Sequence, residues 1–430
     1  MSQASLRESD IRLGRYHVLA MLCASAAIAY IQRAALSVPS AEIAKDLAFT
    51  DLARDMGIIQ SAWYFAYALM QIPSGWLADR LGSRRALAIF SVAWSLATLL
   101  AAFAVNFYSL LAIWSIMGAA QAGAFPCAAK ALGRIFPESE RARATGMLAA
   151  GMTIGSAIAP ILAAFFLQEV TPWANQIGIY RWRILLAAYS LPGILWTLLF
   201  LVIITTRKLP SAESIAKSTS PIDWSCVFYS WPLFLLCAQQ FFRAAGMVFF
   251  VTWFPTFLQK TRDISLLGSG ALTTVAGIGA VVGSLTGGFF SDWLLNKTGS
   301  ARLSRQGIAV LGMGICSLLI LLSYFAQDIY QSMALITLGA FSATFGGVSG
   351  YTVAISFGGR RVATVFSIMN MFGNLGAALF PVTAGFLVAK TGNWNLILFL
   401  FAGVMAIDAV CWALLNPQGT LFGDDDDDAS

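Results

Sequence analysis

Residues 75 to 85 read Gly75-Trp-Leu-Ala-Asp-Arg-Leu-Gly-Ser-Arg-Arg85, a short charged break between two apolar stretches. A related break follows in the second half of the chain, Gly287-Gly-Phe-Phe-Ser-Asp-Trp-Leu-Leu-Asn-Lys-Thr-Gly299, in which Gly288 and Asp292 repeat the spacing of Gly75 and Asp79 at an offset of 213 residues. A second pair of segments repeats as well. Gly155-Ser-Ala-Ile-Ala-Pro160 matches Gly376-Ala-Ala-Leu-Phe-Pro381 at an offset of 221. Two matches at similar offsets describe a chain built twice over, as parallel repeats.

The surroundings of these breaks fix the class. Of 430 residues 58% are apolar and 11% charged, and the mean hydropathy is +0.73, far from the averages of soluble domains. The apolar residues form windows long enough to cross a bilayer. Twelve spans are predicted: 16–38, 57–77, 86–105, 108–132, 144–168 and 184–206, then 231–258, 267–291, 306–325, 329–357, 362–389 and 394–415. The expected fold is all-α and membrane-integral, with two pseudo-symmetric six-helix halves at 1–206 and 231–416. A linker at 207–230, rich in Ser, Lys and Pro, joins the halves, and an acidic tail occupies 417–430. The tail's run Asp424 to Asp428 is assigned no function.

Charge supplies the orientation. Residues 1–423 hold 27 basic and 16 acidic side chains, a net +11, and the basic ones sit in the breaks. With the N-terminus inside, 18 of the 27 fall on the cytoplasmic side, seven outside, and Arg33 and Arg243 within spans. The positive-inside rule then places both termini in the cytoplasm of a multi-pass inner-membrane protein. This distribution argues against nucleic acid as a partner, and the absence of apolar-polar alternation argues against a β-barrel. Cys23, Cys127, Cys237, Cys316 and Cys411 lie in apolar windows, with Cys226 just before one and no CxxC pair, so neither a disulfide framework nor a metal site is expected. The N-terminus lacks a signal-peptide pattern. No cofactor motif is visible, and the spans hold no His cluster, carboxylate pair or Ser/His arrangement, so the chain does not read as an enzyme.

The break at Gly75, Leu77, Asp79, Arg80, Gly82, Arg84 and Arg85 resembles the loop motif of the major facilitator superfamily. Within it, Tyr30-Ile-Gln-Arg-Ala-Ala-Leu-Ser37, Ala124-Phe-Pro126 and Phe136-Pro-Glu-Ser-Glu-Arg141 are similar to the anion:cation symporter family of sugar-acid and organic-anion transporters. So are Thr252 to Leu258, Met369 to Pro381 and Thr391 to Trp394. The resemblance implies alternating access, a central anion site between the halves and a monomeric carrier, commonly proton-coupled. It also implies a gate at Asp79, Arg80, Arg84 and Asp292, with Asp79 set against the positive end of a helix.

This chain departs from those symporters at three positions. Gln32 and Gln121 stand where the resemblance expects an Asp and a Glu, and Trp114 where it expects an arginine. Neither amide titrates, so proton coupling is expected to be weak or absent, against the alternatives of a proton-coupled importer or a non-transporting sensor on the same fold.

Arg33 survives. A charge inside a membrane is expensive unless paired, and no Asp or Glu shares the apolar part of its helix, so an anionic substrate is its expected partner. Tyr30, Arg33 and Ser37 share one helical face, and Gln60, Tyr64, Tyr67 and Gln71 form a polar stripe on the next helix. In the second half Gln240 and Arg243 share a face, while Ser349, Thr352, Ser367, Asn370 and Asn374 offer hydrogen bonds to hydroxyls and carboxylates. The predicted substrate contacts are Tyr30, Arg33, Tyr67, Gln121, Gln240, Arg243, Ser349, Asn370 and Asn374. Such amides and hydroxyls also bind helices together. Lys130 and His17 read as interfacial, and Asp408 as a helix contact.

Overall fold

The computed structural model describes residues 3–136, 138–204, 230–358 and 362–418, together with most of their side chains. The expected linker, apart from Ser230, and the Asp424 to Asp428 run lie outside the described residues. So do Arg360, Arg361 and the side chains of Asp79, Arg134, Arg141, Arg143 and Ser367.

Helices dominate, and among the described residues twelve long ones follow the predicted spans. They are α1 Gln3–Arg33, α2 Leu52–Leu81, α3 Ser83–Ala101, α4 in two pieces (Phe107–Gln121 and Ala124–Ile135), α5 Glu138–Ile177 and α6 Arg181–Ile203. In the later part come α7 Trp231–Met247, α8 Leu266–Thr298, α9 Ile308–Phe325, α10 Ile329–Gly358, α11 Val362–Thr391 and α12 Leu396–Leu414. Among the described residues, eleven helical segments are long and apolar enough to cross a membrane. The remaining helix, α2, has the length at 30 residues but carries Gln60, Ser61, Tyr64, Tyr67, Gln71 and Ser74 along its middle. That polarity belongs to the candidate site.

Three spans differ from the sequence reading. Helix α1 stops at Arg33 rather than running to residue 38; turns follow, then a short helix Ser40–Asp46. Ser37 therefore leaves the face of Tyr30 and Arg33, and its hydroxyl donates to Ala34 O at 2.8 Å. Helix α4 breaks at Ala122–Gly123, just ahead of Pro126, whose missing N–H cannot support a continuous helix. The break resets the phase between Gln121 and Lys130, and Lys130 is half-buried. Helix α7 ends at Met247 and continues as Phe249–Thr252 and Phe254–Thr261.

The chain divides into two compact units, residues 1–217 with 266–271, and 218–265 with 272–430. Inside the first, α1 packs on α5, α2 on α4 and α3 on α6; inside the second, α7 packs on α11, α8 on α10 and α9 on α12. The two units thus use the same pairing scheme, which is the repeat read in the sequence. Small residues make the seams. Gly151 and Gly155 of α5 lie against Cys23 and Ala27 of α1, and Gly279, Gly283 and Gly287 of α8 lie against Thr337, Phe341 and Phe345 of α10. Without a hydrophobic effect between helices in lipid, close backbone contact of this kind supplies the association. Large apolar side chains such as Phe65, Leu69, Leu198, Val202, Phe289 and Leu311 are exposed, as a bilayer allows.

Ion pairs gather at helix ends. Arg181 meets Glu42 at 2.9 Å and Arg183 meets Asp46 at 2.7 Å, tying the short helix Ser40–Asp46 to the start of α6.

Candidate functional site

In the first unit the site grows from the end of α1. Arg33 is the last residue of that helix, where the unpaired carbonyls favour a cation. Its guanidinium carbon lies 4.2 Å from the ring centre of Tyr30, 4.1 Å from Trp63 and 5.2 Å from Tyr67. The Tyr30 hydroxyl lies within hydrogen-bond reach of the guanidinium. Arg33 Nε is buried without a hydrogen-bond partner, and among the described residues no carboxylate pairs with the charge. Aromatic faces stabilise a cation by about 0.5–2 kcal/mol each. They leave its in-plane N–H donors available, and those donors match the two oxygens of a carboxylate.

Trp63 is the member that sequence reasoning missed. It is 1% exposed, stacks on Tyr67 at 5.1 Å and meets Tyr64 edge-on at 4.8 Å. Its signal was one helical turn before Tyr67, hidden because a tryptophan in an apolar span reads as core. Gln60 lies a further three residues back, with both amide atoms buried and unpartnered.

The two glutamines that replace carboxylates have structural roles here. Gln32 Nε2 donates to Tyr189 O at 2.6 Å, tying α1 to α6, and Gln121 Nε2 donates to Ala29 O at 3.1 Å, tying α4 to α1. Both are about 1% exposed. Gln121 is thus a helix tie rather than an open contact, because its one good donor group is engaged; its Oε1 remains buried and unpartnered.

The second unit holds its own cation. Arg243 of α7 donates to Gln240 Oε1 at 2.8 Å from one terminal nitrogen and at 3.3 Å from Nε, and to the Tyr351 hydroxyl at 3.3 Å. Tyr351, also missed in the sequence, stacks on Phe366 at 5.5 Å. Glycines make room for this group: a Cβ at Gly347 would meet Arg243 Cδ at 3.0 Å, and one at Gly373 would meet Gln240 Cγ at 3.0 Å. Ser349 is fully buried with its hydroxyl unpartnered. Asn370 and Asn374 are half-buried, and Asn374 Nδ2 donates to Asn370 O at 2.8 Å.

The expected gate residues lie at helix ends. Arg80 is exposed, near the end of α2, whereas Arg84 donates to Ile204 O and, at 2.7 Å, to Leu201 O, capping the carbonyls at the end of α6 in its own unit. Asp292 is 68% exposed and pairs with Arg305 at 2.7 Å. Arg305 also donates to Ser291, whose hydroxyl donates to Ser304 O, at 2.6 Å each.

The described residues form a membrane fold of two matching units, each holding an intramembrane arginine. The Major Facilitator Superfamily profile matches residues 22–303, and the chain belongs to that family of transporters. It is 30% identical to the D-galactonate transporter of Escherichia coli O6:H1, covering 93% of this chain and 95% of the relative. It is 26% identical to a probable sulfoacetate transporter of Cupriavidus necator, over 96% of each chain. A probable galactarate/D-glucarate transporter of Escherichia coli K12 is 27% identical over 95% of each. Among solved structures, a bacterial homologue of the human lysosomal transporter Spinster superposes with a TM-score of 0.75 at 16% identity, covering 93% of this chain and 96% of that one. This last likeness concerns the fold alone.

Proposed function

We propose that this transporter carries a small organic anion, a sugar acid or another carboxylate, across the inner membrane by alternating access, as a monomer with both termini in the cytoplasm. Arg33 carries the reading: a half-buried cation boxed by Tyr30, Trp63 and Tyr67, with a buried unpartnered Nε and no carboxylate counter-charge among the described residues. A positive charge kept in an apolar span without a carboxylate partner among the described residues is stabilised by an anion that arrives with the substrate. The names of the similar transporters agree in chemistry, since galactonate, glucarate and sulfoacetate are all small anions.

Tyr30 and Tyr67 supply hydroxyls beside Arg33. In the second unit Arg243 supplies a second cation, and Gln240, Asn370 and Asn374 supply polar groups for substrate hydroxyls; Gln121 and Ser349 support the walls. Asp79, Arg80, Arg84 and Asp292 are read as control over opening on the cytoplasmic side. Gln32 and Gln121 cannot carry a proton, so the route to coupling that the resemblance implies through those two positions is closed.

The test is thermal stabilisation of purified protein by D-galactonate, D-glucarate and sulfoacetate, with galactose as the uncharged control, followed by uptake into proteoliposomes. The anions are expected to raise the unfolding temperature and galactose to leave it unchanged. Equal stabilisation by galactose, or none by a broad panel of carboxylates, overturns the reading.

A further inference from the structure

We infer that Asp408, on α12, is a proton-binding site linked to occupancy of Arg243 by an anion; the linkage to anions rests on the function proposed above, whereas the proton site itself does not. Asp408 is 0% exposed, and both carboxyl oxygens are buried without a hydrogen-bond partner. That separates it from Glu42, Asp46, Asp55 and Asp292, each of which meets an arginine. The sequence reads Asp408 as a helix contact, and in the structure its carboxyl ties no neighbouring helix through a hydrogen bond.

Its position follows from the seam between α7 and α12. A Cβ at Gly246 would meet Met405 Sδ at 2.6 Å and the Phe401 ring at 3.0 Å, and beyond the end of α7 Phe249 and Phe250 lie 5.4 and 5.6 Å from Phe401. Gly246 thus spans Met405 and Phe401, whereas the residues three and four further on keep only Phe401, so the chain here runs antiparallel to α12. One turn in the opposite direction takes Gly246 to Arg243 and Met405 to Asp408, at one level of the same seam. Arg243 lies within electrostatic reach of the carboxyl.

Gln240 and the Tyr351 hydroxyl hold the Arg243 guanidinium, and both are neutral acceptors, so its charge is not cancelled by direct contact. The other groups near Asp408 are the thiols of Cys316 on α9 and Cys411 on its own helix. On α11 the charged residue among those described is Lys390, near the end remote from this level. Arg302 and Arg305 stand in the π-helical turn Arg302–Gly307, which meets α12 beyond Asp408, where Gln306 donates to Ala413 O at 2.8 Å. One positive charge therefore faces two claimants. An anion drawn to Arg243 and an ionised Asp408 compete for it, so anion binding draws a proton onto Asp408, and protonation of Asp408 strengthens anion binding by the same factor.

The experiment is infrared difference spectroscopy of the purified full-length protein during a pH change, reading the C=O stretch of protonated carboxyl groups. In the absence of substrate, one titrating buried-carboxyl band is expected, lost in Asp408→Asn and displaced in its titration midpoint by Arg243→Gln. Adding D-galactonate at fixed pH should increase the band in the parent protein. A band that survives Asp408→Asn, or no titrating band at all, overturns the proton site, and a midpoint indifferent to Arg243→Gln overturns its coupling to Arg243. A titrating, Arg243-dependent band that ignores D-galactonate, D-glucarate and sulfoacetate overturns the linkage alone. Should Asp408→Asn fail to fold, Arg243→Gln leaves the carboxyl in place and decides that coupling from the midpoint.

Discussion

At the scale of single residues, Arg33 joins a charge with aromatic walls. Arg33→Gln should remove carboxylate binding while the protein remains folded, because deleting an uncompensated buried charge relieves its desolvation. The loss should reach about 2–5 kcal/mol, roughly 30-fold or more, in a titration with D-galactonate. Unchanged affinity would show that the anion binds elsewhere. Arg33→Lys should also bind poorly, since an ammonium point charge cannot make the forked contact. Trp63→Leu keeps the charge and removes an aromatic face 4.1 Å away. It should weaken binding by about 0.5–2 kcal/mol, a factor of roughly 2 to 30, and an unaltered dissociation constant would leave Trp63 as packing alone.

At the scale of helices, stability resides in the glycine seams. A Cβ at Gly118 of α4 would overlap the backbone carbonyl of Trp63 on α2, an atom that cannot swing aside. Gly118→Ala should therefore separate α2 from α4, lower thermal stability by about 1–3 kcal/mol and disturb the box around Arg33 at the same time. Gly146, with open space around its Cβ position, is the control: Gly146→Ala should leave the unfolding temperature and D-galactonate affinity near parental values. Equal stability of the two variants in detergent would show that α2 and α4 shift apart without penalty. At the loop motif, Asp79→Asn should alter the balance of cytoplasm-open states, read by cysteine accessibility from each side of the membrane. Parental accessibility and flux would reduce the motif to a topology signal.

At the scale of the whole molecule, the question is what drives transport. A monovalent anion moving alone into a compartment held about 100 mV negative is opposed by about 2.3 kcal/mol, a factor of roughly 50. A proton travelling on Asp408 with that anion makes the movement electroneutral. Uptake of D-galactonate into proteoliposomes should then follow an imposed pH gradient at zero voltage and respond weakly to voltage, whereas Asp408→Asn should lose the first property and acquire the second. Parent and variant behaving alike would remove Asp408 from coupling. The sequence expectation of weak coupling rests on Gln32 and Gln121, which cannot titrate, and on reading Asp408 as a helix contact; its burial without a hydrogen-bond partner is what brings that carboxyl back into the question.

The sequence by itself determined the class of fold. Apolar windows fix the spans because a bilayer tolerates little else, and the repeated Gly and Asp spacing of the two breaks declares the duplicated halves. Arg33, Tyr30, Tyr67, Gln240 and Arg243 were legible for the same reason: polar groups in an apolar span stand out. Trp63 and Tyr351 did not, since an aromatic residue in a span looks like core until its neighbour across the seam is known. Only the tertiary structure stopped α1 at Arg33, engaged Gln32 and Gln121 as helix ties and brought Asp408 within electrostatic reach of Arg243, 165 residues earlier in the chain. Those outcomes depend on which helix packs on which and in what register, and side-chain periodicity within one helix carries no record of either.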